Sequence, residues 1–224
     1  MLIGNCFTQI VSGLLAILSI LLMKKRFKAV VFGLGAEKAS GPDGFSILFF
    51  QRSWDLVKTN ILQLFGQLYN GCVDLWCLNY ALIALIPKKE GACLINEFWP
   101  ISLLNAIIKI ITKVLVNRLR PHIHLLVDQV QSAFTKNRYI LDSVACAHEI
   151  IAATHNYDIE AVFLKLDFEK AFDSVSLDFL FELLRARRFG QWWIDWINIC
   201  LFSGTSSILV NGKLGNYIKC RKGL

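Results

Sequence analysis

The sequence has 224 residues with a net charge of +7, and 55% of its residues are apolar. This length allows one large core or two small ones, and the basic balance suits a polyanionic partner, although a plain basic surface gives the same charge. The seven cysteines are odd in number and scattered, and no Cys-x-x-Cys pair occurs. They argue against a disulfide framework and a zinc site and indicate free thiols in a reducing compartment.

An almost unbroken apolar run at residues 10–23 is followed by a basic cluster at residues 24–28. The run is short for a membrane span, which needs about 20 residues, and a signal peptide would carry a basic segment before it. The basic cluster behind it favours a signal-anchor or interfacial helix, with a membrane contact through residues 6–28. A fourth interpretation, which we favour, is translated flanking sequence outside the ancestral domain. It predicts an intracellular protein, nuclear or cytoplasmic, whereas a signal-anchor predicts a membrane-anchored one.

A turn and a helix are predicted next. Gly-Pro-Asp-Gly at residues 41–44 is a turn sequence, because proline presets φ and the following Asp and Gly tolerate tight conformations. Residues 46–69 have helical spacing, and Asn70-Gly71 predicts the turn after them. The apolar stripe of this helix is predicted to be core and comprises Leu48, Phe49, Leu56, Ile61, Leu64, Phe65 and Leu68.

Residues 80–87 are predicted to form a buried strand that Pro87 ends. The next four residues, 88–91, predict a hairpin-like tip that carries the ammonium groups of Lys88 and Lys89.

A second long helix is predicted at residues 102–119, and Pro121 stops it. Its apolar face comprises Leu103, Ile107, Ile110, Ile111, Val114, Leu115 and Leu119. Lys109, Lys113 and Arg120 share another face by their spacing. A solvated basic face is the default interpretation, and a ridge that contacts nucleic-acid phosphates is the alternative. A further helix is predicted at residues 141–154, with Val144, Ala147, His148 and Ile151 on one side.

An apolar run at residues 161–166 predicts a buried strand, and Asp167 stands at its C-terminal end. Open α/β sheets often place their chemistry at that end of a strand. A carboxylate there suits a hard cation such as Mg²⁺, which prefers oxygen ligands. The alternative is an aspartate that caps the following turn.

The C-terminal part predicts two helices, at residues 176–188 and 192–202, and then a β-hairpin of residues 206–212 and 214–220 around an Asn-Gly turn. The inward face of the first helix comprises Leu177, Leu180, Leu183 and Leu184. The second helix carries three tryptophans, Trp192, Trp193 and Trp196. We interpret them as core and interface residues, and base-stacking platforms are the alternative.

Four stretches, in the same order, resemble the reverse transcriptase domain of non-LTR (LINE-type), plant-like retrotransposons. They are Lys38-Ala-Ser-Gly-Pro-Asp-Gly-Phe45; Leu85-Ile-Pro-Lys-Lys89 with Pro100-Ile-Ser-Leu-Leu-Asn105; Gln131-Ser-Ala-Phe134 with Arg138 and Asp142; and Lys165-Leu-Asp-Phe-Glu-Lys-Ala-Phe-Asp-Ser-Val175. The resemblance covers roughly residues 27–224. Four matches in order are far more specific than any one of them.

The resemblance implies an α+β fold of the right-hand polymerase kind, with helical fingers, an incomplete antiparallel palm sheet and no thumb. It divides the chain into an apolar N-terminal segment (1–28), a fingers-like region (29–160) and a partial palm (161–224). The family's Gly-rich and Asp-Asp motifs do not occur, and the chain contains no Asp-Asp pair. The expected function is therefore that of a truncated RNA-directed DNA polymerase, inactive alone. The alternatives are a non-enzymatic RNA-binding module and an inert product of a decayed element.

By the same resemblance, Asp167 is the first of three catalytic carboxylates and a ligand of Mg²⁺ in a two-metal mechanism. Phe168 and Phe172 border the incoming nucleotide, and the ring of Phe172 packs under the deoxyribose. Lys88 and Lys89 neutralise the triphosphate.

Contacts to an RNA template and a DNA primer are expected of five basic residues. The resemblance implies them for Lys38, Lys136 and Arg138, and the basic helix face suggests them for Lys109 and Lys113.

Two positions depart from the family pattern. Asn137 stands where the family has Gly, which Asn can replace if the turn needs a positive φ. Trp99 stands where the family has an Arg before Pro-Ile-Ser-Leu. Tryptophan offers no charge and one donor, so it cannot make a bidentate contact with phosphate.

Overall fold

The computed structural model describes residues 27–219, 221 and 223, so the apolar run at residues 10–23 and its interpretations lie outside the described residues. Two compact units are present: the first contains the described residues up to Val114 and from Phe172 onward, and the second is Leu115–Ala171. Among the described helices, none combines the length and the apolar character that crossing a membrane requires.

The described helices and strands come in groups along the chain. The helices are α1 (Ile47–Arg52), α2 (Trp54–Tyr69), α3 (Ala106–Leu119), α4 (Ile123–Leu126), α5 (Ile140–Asn156), α6 (Leu177–Ala186) and α7 (Gln191–Phe202). The strands are β1 (Tyr80–Pro87), β2 (Phe98–Leu104), β3 (Thr205–Val210), β4 (Lys213–Leu214) and β5 (Ile218–Lys219). Residues 27–32 are also helical. The predicted α+β class is confirmed at this level, and the division into fingers and palm stays a prediction.

The strands of the first unit form one sheet in the order β2-β1-β3-β4, and β5 also pairs with β3. β1 runs antiparallel to β2, where Pro87 lies opposite Phe98, and parallel to β3, where Tyr80 lies opposite Thr205. The near-continuous apolar sequence of β1 suits this position between two neighbours. The strand predicted at residues 80–87 is therefore confirmed, but its predicted burial is not, since only Ala81 is buried and Ile86 and Pro87 are exposed.

The predicted C-terminal hairpin is also confirmed. β3 and β4 pair in antiparallel fashion, with Val210 opposite Lys213. Asn211 and Gly212 between them have φ angles of 50° and 76°. Positive φ at both central residues is the geometry that makes Asn-Gly the favoured two-residue hairpin turn.

The helix predicted at residues 46–69 is divided at Ser53 into α1 and α2. The division changes the phase of the apolar stripe, so three predicted core residues were wrong: Leu48, Phe49 and Leu56 are exposed, and Leu56 is 82% exposed. Trp54 replaces them at the start of α2. Ile61, Phe65 and Leu68 are buried as predicted, and Leu64 is half-buried.

The second long helix begins at Ala106, four residues later than predicted, because residues 98–104 form strand β2. Backbone pairing with β1 supplies the hydrogen bonds that a helical turn would otherwise have made. The predicted apolar face is confirmed by the buried side chains of Ile107, Ile110, Ile111, Val114 and Leu115. Its two end members differ: Leu103 belongs to β2, and Leu119 is half-buried.

Helices α6 and α7 pack around a small core of Leu177, Phe181 and Ile194. The inward face of α6 includes Phe181, which the sequence reading had not placed there, whereas the predicted core residue Leu183 is 41% exposed. Ser176 caps the helix by accepting a hydrogen bond from the backbone N–H of Phe179.

The second unit buries little apolar surface. No residue of α5 is buried, although this helix was predicted correctly to within two residues. The strand predicted at residues 161–166 is wrong: these residues have no regular structure, and Val162 and Phe163 are 96% and 73% exposed. A strand is stable only beside a partner strand, and no described strand pairs with this segment.

The five cysteines that the structure describes are all free thiols, as predicted. Four are exposed, and Cys200 is half-buried in α7. Burial raises the pKa of the Cys200 thiol to about 11, so this thiol is protonated at neutral pH.

Candidate nucleic-acid interface

The loop at residues 38–45 is fastened to the junction between β2 and α3 by Asn105, which is only 3% exposed. Its side-chain oxygen accepts a hydrogen bond from the backbone N–H of Asp43 at 3.2 Å, and its amide nitrogen donates to the carbonyl of Leu78 at 2.9 Å. Gly41 lies against the same junction. A Cβ built on Gly41 would stand 2.5 Å from the carbonyl carbon of Leu104, so only glycine fits there without a shift.

Lys38 and Lys109 are brought together by this loop. The ammonium of Lys109 donates to the carbonyl of Ala39 at 2.7 Å. Burial lowers the pKa of Lys109, the nearby positive charge of Lys38 lowers it further, and Asp43 opposes this in part. Two cations that repel each other beside one loop are suited to binding an anion, which relieves the repulsion. Lys113, one turn further along α3, is half-buried.

Lys88 and Lys89 stand at the tip of the hairpin that joins β1 to β2, as predicted. Lys89 forms an ion pair with Glu97. The carboxylate of Glu97 also accepts from the backbone N–H groups of Cys93 and Leu94, at 2.9 and 3.1 Å. The Lys89 hydrogen bond, followed by these two, lowers the pKa of Glu97. The tip is therefore closed by its own contacts and holds its two cations in place.

Trp99 lies beside the ammonium of Lys88. The Lys88 ammonium stands 4.5 Å from the centroid of the Trp99 ring and donates to the carbonyl of Asn96 at 2.7 Å. This arrangement is a cation–π contact. The position where the family pattern has a guanidinium thus holds a ring that fixes a neighbouring ammonium.

Arg138 in the second unit is engaged within its own loop. Its guanidinium donates to the carbonyls of Asp128, of Gln131 at 2.8 Å and of Val127 at 3.2 Å. The positive φ of 65° at Asn137 confirms that this turn uses the left-handed region. Lys136 is exposed.

Asp167 lies in the exposed, irregular part of the second unit, followed by Phe168 with 74% of its surface exposed. Phe172 belongs to the first unit and is 59% exposed. The described residues contain no group of three or more His, Cys, Asp or Glu side chains that could hold a metal ion. A single carboxylate does not fit the two-metal site that the resemblance implies. We therefore assign no step to a metal here.

Sequence reasoning assigned no role to three residues that build this interface: Gly41, Glu97 and Asn105. Gly41 and Asn105 both lie inside motifs that carried the resemblance, which was the available signal. Glu97 carried no signal, because its role depends on the fold of the hairpin tip.

Residues 86–224 match the sequence profile of the family described as reverse transcriptase (RNA-dependent DNA polymerase). The chain is 30% identical over 179 residues to the transposon TX1 uncharacterized 149 kDa protein of Xenopus laevis, a match that covers 80% of this chain and 14% of that protein. It is 26% identical over 144 residues to the retrovirus-related Pol polyprotein from type-2 retrotransposable element R2DM of Drosophila melanogaster, which covers 62% of this chain and 13% of that protein. The matched region is thus a small part of both relatives.

Proposed function

The chain belongs to the reverse transcriptase family, and on that basis we propose that it serves template-directed DNA synthesis by holding an RNA template and an incoming nucleotide. The observation that carries the proposal is a pair of neighbouring cations: Lys38 belongs to the loop that Asn105 holds, and the ammonium of Lys109 binds the carbonyl of Ala39 in that loop. Phosphate contacts supply most of the affinity of proteins for nucleic acids.

The hairpin tip supports the nucleotide part of the proposal. A transferring phosphoryl group needs positive charge around its oxygens. Lys88 is held by Asn96 and Trp99 and Lys89 by Glu97, so their positions are set before a ligand arrives. In this proposal the tip forms part of the fingers, and Lys88 substitutes for the cation that Trp99 does not supply.

The proposal does not extend to the metal-dependent step. The family implies a divalent metal, and Asp167 is the residue of this chain that matches its first carboxylate. One carboxylate without further ligands holds hydrated Mg²⁺ weakly. The proposal therefore assigns to these 224 residues the binding of template and nucleotide, and not the complete catalytic site.

RNA binding tests the proposal. We expect the double variant Lys38→Gln/Lys109→Gln to bind a single-stranded RNA about tenfold more weakly, and its slope of log affinity against log salt to fall by about 1.4, because two phosphate contacts are lost. Fluorescence anisotropy across a salt series measures both quantities. The matched control is Arg52→Gln/Lys213→Gln, which removes two exposed charges from other elements. Equal losses in both variants would show that net charge alone binds RNA and would refute the proposed site.

Primer extension tests the limit placed on catalysis. We expect the 224-residue chain, given Mg²⁺, dNTPs and a primed RNA template, to add no nucleotide, and Asp167→Asn to behave in the same way. The reason is the missing ligand set around Asp167. Extension by the unaltered chain that Asp167→Asn abolishes would prove this expectation wrong, because other carboxylates would then complete a metal site.

A further inference from the structure

A basic stretch meets an aromatic one where α6 ends and α7 begins. Arg187 and Arg188 follow the last residue of α6, and Trp192 lies in the first turn of α7. Both arginines are exposed, and neither guanidinium forms an ion pair with any residue that the structure describes. Two uncompensated cations therefore lie within one loop of an aromatic side chain.

Arg188 adopts a backbone conformation that usually belongs to glycine. Its φ is 58°, and its N–H donates to the carbonyl of Arg185 at 2.9 Å, while Phe189 N–H donates to Leu184 at 3.0 Å. Helices often end in this way, with Gly at the left-handed position. A side chain there is unfavourable for the backbone, and such residues often serve a function.

The Trp192 ring is supported by a neighbouring ring and is also accessible to solvent. It stacks on Tyr69 with the ring centroids 5.6 Å apart and the planes within 3° of parallel, yet 52% of its surface is exposed. Tyr69 is in turn packed against Trp196, with centroids 5.9 Å apart. The three tryptophans of α7 therefore differ: Trp196 is buried and Trp193 half-buried, whereas Trp192 offers an open surface held in a fixed orientation.

The acidic side chains of these two helices line a cleft that does not include the two arginines. Asp178, Glu182 and Asp195 line a cleft of about 480 Å³ between α6 and α7, together with Arg185. Neither Arg187 nor Arg188 lines that cleft. The two loop arginines therefore lie outside the cleft that these carboxylates line, and Asp195 follows Trp192 by one turn of α7.

We propose that Arg187, Arg188 and Trp192, here called the Arg–Trp ledge, bind single-stranded nucleic acid, with a base stacked on Trp192 and phosphates beside the two arginines. Unpaired bases stack on aromatic side chains with little dependence on sequence, and a positive surface follows the backbone. The bases inside a duplex offer no free face, and the side chains of an acidic peptide offer no aromatic ring to stack on Trp192. The ledge lies on different elements from Lys38 and Lys109 and requires no polymerase activity.

The test compares a short single-stranded RNA with the same strand carrying abasic sites. We expect Trp192→Leu to bind the base-containing strand about tenfold more weakly, since one stacking contact is lost, and to bind the abasic strand as the unaltered chain does. Trp192→Tyr keeps a ring and should keep most of the affinity. The matched control is Trp76→Leu, because Trp76 is 59% exposed and lies outside the ledge. Photocrosslinking of a 5-iodouridine strand should label Trp192.

The arginines are tested by Arg188→Gly and Arg187→Gln. Gly suits the left-handed position, so Arg188→Gly should leave Tm unchanged or raise it while it weakens RNA binding severalfold. Lower affinity without lower stability separates a binding role from a structural one.

Three results would overturn the proposal: equal losses for Trp192→Leu and Trp76→Leu, unchanged affinity in Arg188→Gly, or equal binding of the base-containing and abasic strands by the unaltered chain. A loss confined to Lys38→Gln/Lys109→Gln would leave the proposed template site intact and refute the ledge alone.

Discussion

Replacing Asn79 with aspartate is expected to lower the free energy of unfolding at pH 7 by about 3–5 kcal/mol, the cost of leaving a charge buried without a partner. Asn79 is 7% exposed, and its amide nitrogen donates to the carbonyl of Cys200 at 2.7 Å and to the hydroxyl of Ser203 at 2.9 Å. The main-chain carbonyl of Asn79 accepts a hydrogen bond from the backbone N–H of Thr205 at 3.0 Å. The residue thus joins the start of β1 to the end of α7 and the start of β3. Aspartate would place an ionised oxygen against the Cys200 carbonyl.

The loss in the free energy of unfolding of Asn79→Asp should become smaller as the pH falls. Burial and the facing carbonyl raise the pKa of the new carboxyl in the folded chain above its unfolded value. The destabilisation is therefore full above the raised pKa and lessens as the pH falls through it, because a protonated carboxyl can donate to Cys200. Urea denaturation followed by circular dichroism at pH 7 and at lower pH measures both effects. Ser203→Ala is the matched control, since it removes one acceptor and leaves the Cys200 contact. A loss in Asn79→Asp no larger than in Ser203→Ala would contradict the buried bond.

Gly41→Ala is expected to lower the free energy of unfolding by about 1–3 kcal/mol, because the added methyl group overpacks the site. The added methyl group meets backbone atoms of Leu104 and Asn105, which cannot turn aside as a long side chain can. We also expect weaker RNA binding, because the loop that carries Lys38 must move away from the β2–α3 junction.

Gly66→Ala is the matched control for this glycine. Gly66 lies inside α2, and a Cβ there would meet nothing within 4 Å. Alanine is favoured over glycine in a helix interior by roughly 0.5–1 kcal/mol, so this variant should be more stable than the unaltered chain. Thermal and urea unfolding compare the two variants directly. Equal stability of Gly41→Ala and Gly66→Ala would show that the loop does not press on the junction.

Local sequence patterns predicted the elements whose own residues carry a strong signal. β1 was predicted from an apolar run ended by proline, and the β3–β4 turn from Asn-Gly. The prediction failed where a partner decided the outcome. Residues 102–104 were predicted as the start of a helix but form part of a strand beside β1, and residues 161–166 were predicted as a strand but pair with no described strand. Pairing is a property of two segments, and a single segment does not reveal it.

In the candidate interface, too, the sequence revealed single residues but not their partners. The basic residues Lys38, Lys88, Lys89 and Lys109 could be named from motifs and spacing. Their partners could not: the Lys109–Ala39 bond joins residues 70 apart, and the Lys88–Trp99 contact depends on a β-strand that the sequence did not indicate. The resemblance located the loop at residues 38–45, and the structure adds why its glycine and Asn105 belong together.

The parallel pairing of β1 with β3 can form only late in the synthesis of this chain. Tyr80 is paired with Thr205, 125 residues later, whereas the antiparallel partner β2 follows β1 almost at once. A ribosome that adds about 5–20 residues per second needs roughly 6–25 seconds to supply that second partner. During this interval the edge of β1 that later pairs with β3 is unpaired, and such edges recruit other chains. The nascent hairpin is therefore the stage at which a chaperone has most to protect.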